Sequence, residues 1–130
     1  MADRFKIDMQ GIDAYLKKLA DGSENMDESA INAVLAGGEV AKDGMQMRVP
    51  KDTHNLEKHI VVGDVKRDGN LTYVEVGVLH ADEETSRYGN AQEYGTSSMP
   101  AQPYIRPTQK EDAGKIKKAM KESLIEDRTL

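Results

Sequence analysis

Apolar positions near the start of the chain change period twice. Phe5, Ile7 and Met9 alternate with Arg4, Lys6 and Asp8, the period-two pattern of a strand with one buried face, and Gly11 closes the run. From Ile12 the spacing turns helical. Ile12, Tyr15, Leu16 and Leu19 fall at i, i+3, i+4 and i+7 before Asp21-Gly22 interrupts, which predicts a short amphipathic helix. Asn25 and Glu28 stand in capping-box register for a second helix that runs to about Arg48. Its core face reads Ile31, Val34, Leu35, Gly38, Ala41 and Met45, with Glu28, Asn32, Glu39, Asp43 and Gln46 on the other side. Val49-Pro50 ends it, because a residue before proline is pushed out of the α region. Gly37, Gly38 and Gly44 each cost about 1 kcal/mol against alanine inside a helix. That calls for a close crossing by another element or a mild kink, with a functional hinge as the competing reading.

Further on, His59 to Lys66 and Leu71 to Leu79 are two β-rich runs around Arg67-Asp68-Gly69-Asn70. Asp-Gly is a strong hairpin signal. Taking Asp68-Gly69 as a two-residue turn pairs Val65 with Thr72, Gly63 with Val74, Val61 with Val76 and His59 with Val78 on the core face. Tyr73, Glu75 and Gly77 then point the other way. From His80 to Thr108 periodicity lapses, apart from a short helix near Arg87 to Tyr94, and a stretch of that length in a compact domain is usually functional. Pro100, Pro103 and Pro107 fix φ and remove backbone donors, predicting an extended Pro-rich arm at about 95–107, an edge strand or a strap laid on a neighbour. Thr108 and Glu111 form a capping box for a last helix whose inward face is Ala113, Ile116, Ala119, Met120, Ser123 and Leu124. The pattern predicts one α+β domain over 1–130, a small, mostly antiparallel sheet with a central hairpin, covered on one face by the long helix and the C-terminal helix.

Composition narrows the function. The 130 residues carry 18 Lys+Arg against 23 Asp+Glu, a formal charge of −5, which argues against a phosphate-neutralising binder. No apolar run approaches the ~20 residues of a membrane span, and Met1 to Gln10 lacks the order of a signal peptide, so a soluble, unsecreted chain is expected. Without cysteine there is no disulfide, thiolate metal site or Cys nucleophile. Asp52, His54, Glu57 and His59 are rich in ligand types, but their spacing fits no known metal class. Gly95-Thr96-Ser97-Ser98-Met99 fails the nucleophile-elbow pattern at its last position, and no phosphate-binding glycine motif occurs. His80 reads as a surface or interface imidazole, and Glu83-Glu84 and Glu111-Asp112 as solvated surface. Lys115, Lys117, Lys118 and Lys121 read as a solvated helix face, with nucleic-acid contact as the alternative. No catalysis, cofactor or metal is expected.

Two segments resemble a known pattern. Val49-Pro50-Lys51-Asp52-Thr53-His54-Asn55-Leu56-Glu57-Lys58-His59-Ile60 is similar to a V-P-x-D-T-G-N-L-x-x-x-I stretch. Glu93-Tyr94-Gly95-Thr96-Ser97-Ser98-Met99-Pro100-Ala101-Gln102-Pro103-Tyr104-Ile105-Arg106-Pro107 resembles E-[FY]-G-T-x-x-M-x-A-x-P-[FY]-[LI]-R-P. Both belong to the minor tail component, or neck and tail-completion, family of long-tailed bacteriophages and prophages, related to the lambda minor tail protein Z. His54 stands where that family commonly has glycine. The resemblance implies a structural virion protein at the head–tail junction, made in the host cytoplasm and self-associating as a ring, most plausibly a hexamer. Its implied partners are the connector or head-closure protein and the tail-tube or tail-terminator protein, with DNA passing through the lumen without sequence-specific contact.

A proline-stiffened arm loses little entropy on docking, which suits such a role. The expected subunit-interface residues are Glu93, Tyr94, Gly95, Thr96, Met99, Pro100, Pro103, Tyr104, Arg106 and Pro107. Tyr94 and Tyr104 are the aromatic anchors and Arg106 the charge partner. Pro50, Asp52, Thr53, Asn55 and Leu56 form the motif turn. The alternative is a small prophage-encoded binding or regulatory module that touches nucleic acid through its Lys-rich last helix.

Overall fold

A computed structural model describes residues 4–9, 12, 26–49, 55–68, 71–79 and 81–129. The elements are β1 (Arg4–Asp8), α1 (Met26–Arg48), a single helical turn α2 (Asn55–Lys58), β2 (Ile60–Val62), β3 (Lys66–Asp68), β4 (Leu71–Val78), α3 (Glu83–Tyr94), α4 (Ile105–Glu111) and α5 (Ala113–Thr129). The helix expected over Ile12 to Leu19, apart from Ile12 itself, and the Asn25 cap lie outside the described residues.

β4 is the centre of an antiparallel sheet, with β1 along one side and β2 followed by β3 along the other. Its alternating Val74, Val76 and Val78 are buried beneath α1, and Phe5 and Ile7 of β1 stand opposite Val76 and Val74 on the same face. Each such buried side chain contributes roughly 1.5–3 kcal/mol by leaving water. On the reverse face Lys6 lies over the Tyr73 ring, 4.5 Å from its centroid, and the Lys66 ammonium bonds Glu75 at 3.1 Å. The observed fold is thus α+β, with a small antiparallel sheet carrying helix on one face.

The expected hairpin register is corrected. β3 pairs Lys66 with Tyr73 and Asp68 with Leu71, a register displaced by two residues from the one an Asp68-Gly69 turn would set. β2 pairs Ile60 with Val78 and Val62 with Val76. The pairing offset therefore changes by one residue between β2 and β3, and the extra residue lies within 63–65. A slip of one exchanges the faces of a strand. Ile60 and Val62 accordingly take the inward positions that the simple turn gave to His59 and Val61, while Val65 still reaches the core.

α1 also departs from its expected face at two positions. Val34, Ala41 and Met45 are fully buried, but Ile31 and Leu35 are exposed. The glycines of α1 mark close crossings. A Cβ on Gly37 would stand 2.8 Å from Met120 Cγ of α5, and one on Gly44 would overlap the Asp112 carboxylate. The inward residues expected of the last helix hold, with Ile116, Met120 and Leu124 buried.

Candidate functional site: a loop clamped by a buried carboxylate

The segment expected to be an extended arm ends sooner than its prolines suggest. Residues 105–107 form the first turn of α4, where Pro107 lacks only a donor that has no helical partner at that position. Thr108 is not a cap. It lies inside α4, and its hydroxyl donates to the Tyr104 carbonyl at 2.7 Å. What projects is the loop of residues 95–103 between α3 and α4.

Its two ends are tied, and the helix that leads into it is capped. At the start of α3 the Asp82 carboxylate accepts from Thr85 N (3.4 Å) and the Thr85 hydroxyl (2.5 Å), and the hydroxyl bond is the main reason its pKa lies below the ordinary range. The helix ends at Gly95, whose φ of 78° and ψ of 174° suit glycine alone, and whose N–H donates to the Ala91 carbonyl at 2.7 Å. Gln102 N donates to the Gln92 carbonyl at 2.7 Å, and Thr96 and Met99 bridge each other across the tip.

Glu93 holds the far end. Its side chain is wholly enclosed, and its Oε1 accepts from Tyr104 N (2.8 Å) and Ile105 N (2.7 Å). Oε2 accepts from Arg106 N (2.9 Å) and Arg106 Nε (2.8 Å), while Arg106 Nη2 donates to the Glu93 carbonyl. The carboxylate thus takes up the unpaired amides at the N-terminus of α4, where the helix dipole also favours a negative charge. Burial pushes its pKa up, but the amides of Ile105, Arg106 and Tyr104 and the Arg106 guanidinium together outweigh burial and leave it below the ordinary carboxylate value.

Both sequence motifs converge on α3. The Tyr104 hydroxyl donates to the Gly89 carbonyl at 3.3 Å, and a Cβ on Gly89 would meet this hydroxyl at 2.9 Å and Leu56 Cδ1 at 3.2 Å. Leu56 of the first motif is therefore buried beside Tyr104 of the second. Pro50, Asp52 and Thr53 lie outside the described residues, as do His54 and His80, while Asn55 opens α2.

The ten residues expected at a subunit interface divide in two. Glu93 and Tyr104, expected to touch a neighbour, are enclosed by their own chain, and they position the loop instead of presenting a surface. Pro107 is half-buried in α4, and Gly95, Met99 and Pro103 are half-buried in the loop. Tyr94, Thr96, Pro100 and Arg106 are exposed, as are Ser97, Ser98, Ala101 and Gln102. The Arg106 guanidinium also lies over the Tyr94 ring, 4.9 Å from its centroid, which joins both into one surface patch.

A second polar cluster was not foreseen. Arg48 at the end of α1 donates through Nη1 to Asp112 Oδ2 (2.8 Å) and the Thr108 hydroxyl (2.9 Å), and through Nη2 to Asp112 Oδ1 (3.2 Å) and Glu111 (3.3 Å). The hydrogen bond between them lowers the Asp112 pKa and raises that of Arg48. Asp112, expected in solvent, is buried because this pair fixes the junction of α4 and α5 against α1. Nothing local in the sequence announces a pair 64 residues apart. Among the described residues no three His, Asp or Glu side chains gather as metal ligands, and no helix is long and apolar enough to cross a membrane.

Residues 10–95 match the family model described as bacteriophage HK97-gp10-like tail component. The match takes in α1, β2 to β4 and α3 but not β1, and ends at Gly95, where the clamped loop begins. No curated protein and no solved structure matches the chain. With two thirds of its length inside that match, this chain belongs to the bacteriophage HK97-gp10-like family of phage tail components.

Proposed function

We propose that this tail component acts at the head–tail junction, where six copies of the chain form a ring that joins or closes the tail against the DNA-filled head. A phage tail component works among other structural proteins of the virion. In this reading one side of the ring meets the connector or head-closure protein and the other the tail tube or its terminator, and DNA passes through the lumen without sequence-specific contact. The work is assembly and not bond-breaking.

The supporting observation is the loop of residues 95–103. Six of its nine residues are exposed, yet its ends are fixed by Gln92, Glu93 and Gly95. A loop ordered before contact loses little entropy on docking, so a modest patch made of Tyr94, Thr96, Pro100 and Arg106 can grip a neighbour. Glu93 and Tyr104 act as positioning residues for that patch. The test is a phage carrying a deletion of this gene, imaged after lysis. Separate full heads and finished tails are expected, and intact virions would overturn the reading.

A further inference from the structure

Two exposed rows of side chains on different helices share the same spacing and carry matching chemistry. On α1, Ile31, Leu35, Glu39 and Asp43 follow one another at i+4, and all four are exposed. On α5, Lys117, Lys121 and Ile125 do the same. Residues four apart lie about 6 Å from each other along a helix, so both rows advance by equal steps. Read from their N-termini, the first runs apolar then acidic, and the second basic then apolar.

α1 crosses α5 where Gly37 meets Met120, and meets the α4–α5 junction where Gly44 faces Asp112, whereas both rows stand at exposed positions. The acidic row has Lys42 beside it, which bonds Glu39 at 3.2 Å. The basic row borders a shallow groove of ≈ 150 Å³ between β1 and α5, floored by Phe5, Ile7, Ile116 and Met120, with Lys6 and Lys117 at its rim.

We propose that α1 of one copy docks antiparallel on α5 of the next, setting Asp43 by Lys117, Glu39 by Lys121 and Leu35 by Ile125, with Ile31 lying beyond. Only the antiparallel arrangement brings acid to base and apolar to apolar at once. Ridges of i+4 side chains are those by which helices most often interdigitate. Because the two rows occupy different faces of one chain, the contact is head-to-tail, the kind that propagates and closes into a ring. Exposed ion pairs add little affinity, so the charges set orientation and register while Leu35, Ile31, Ile125 and the neighbouring groove supply the apolar burial.

This inference rests on the self-assembly part of the proposed function and can fail separately from it, since its test needs no phage particle. Sedimentation velocity of the purified chain at low salt is compared for the wild type, Lys117→Glu/Lys121→Glu, Glu39→Lys/Asp43→Lys and the combination of all four in one chain. Unchanged circular-dichroism melts establish that each variant is folded. Either double reversal is expected to weaken association about tenfold or more, and the combined variant to recover to within about threefold of the wild type. A wild type that stays monomeric at its highest soluble concentration would overturn the inference, as would double variants that assemble normally or a combination that fails to recover. Lys117→Glu/Lys121→Glu that sediments as the wild type but loses retention on DNA-cellulose would make the row a polyanion site instead.

Discussion

Replacing Glu93 with glutamine probes the clamp with the smallest change of shape. The carboxylate accepts four hydrogen bonds, two from the amides of Tyr104 and Ile105, whose residues are buried, and two from Arg106. Glutamine keeps one accepting oxygen and turns an NH2 toward donors. With its oxygen in the place of Oε1 it still accepts from Tyr104 N and Ile105 N, so the Arg106 amide in the first turn of α4 loses its partner, at about 1–3 kcal/mol, and bonds to a charged acceptor fall back to neutral ones. The Arg106 guanidinium is about half exposed and stays solvated, so the loss of its own bond adds little. The net expectation is a destabilisation of about 2–3 kcal/mol, read as a fall in the urea midpoint at unchanged m-value, with faster hydrogen exchange at the amides of 104–106.

The pH dependence gives a second handle on the same substitution. Glu93 has a folded-state pKa below its unfolded value, so its stabilisation is complete above the unfolded value, about 4.3, and is lost as pH falls through the folded one. The gap between wild type and Glu93→Gln is therefore widest near neutrality and closes in acid. A variant within about 0.5 kcal/mol of the wild type at pH 7, or a gap that widens on acidification, would refute the reasoning.

Other substitutions test the neighbouring features. Gly44→Ala gains about 1 kcal/mol of helix propensity yet is expected to lower the melting temperature, because its Cβ would overlap the Asp112 carboxylate that Arg48 holds in place. Asp112→Asn leaves a partly buried guanidinium facing a neutral amide and is expected to cost about 1–3 kcal/mol in chemical denaturation, an effect that shrinks as the pH drops below the ordinary carboxylate range. Gly95→Ala forces an L side chain into a φ of 78° against Ala101 N at 2.9 Å, so a loss of about 1–3 kcal/mol is expected, with exchange rising in residues 95–103 but not in β4.

The parts of the fold legible in the sequence are those where one local signal dominates. The alternation of Phe5, Ile7 and Met9 identified β1, the run to Val49-Pro50 bounded α1, and Ile116, Met120 and Leu124 gave the inner face of α5. Register was misplaced because Asp68-Gly69 and Gly69-Asn70 are both good turn pairs, and an extra residue within 63–65 left the apolar alternation unable to choose between them. Ile31 and Leu35 resemble core residues by type and spacing, since a helical pattern records hydrophobicity and not which flank another element covers.

At the candidate site the motif residues were visible, but their work was not. Three prolines suggested an extended strap, whereas Pro107 is compatible with a first helical turn, and the buried acid that starts α4 stands eleven residues before Tyr104. The spacing of Glu93 and Tyr104-Ile105-Arg106 around a proline loop is the signal that a carboxylate meets a helix N-terminus. No comparable signal marks Arg48 and Asp112, which meet only because α1 crosses the α4–α5 junction.

The claim that the clamped loop grips an adjacent subunit is tested most directly by cross-linking from its tip. The chain has no cysteine, so Ser97→Cys provides a unique attachment point on an exposed residue for a photoreactive maleimide. In purified virions carrying the labelled chain, illumination is expected to shift it into a covalent adduct with a second copy or a neck protein, identified by mass spectrometry. Infectious virions in which the illuminated chain stays uncoupled would contradict the account.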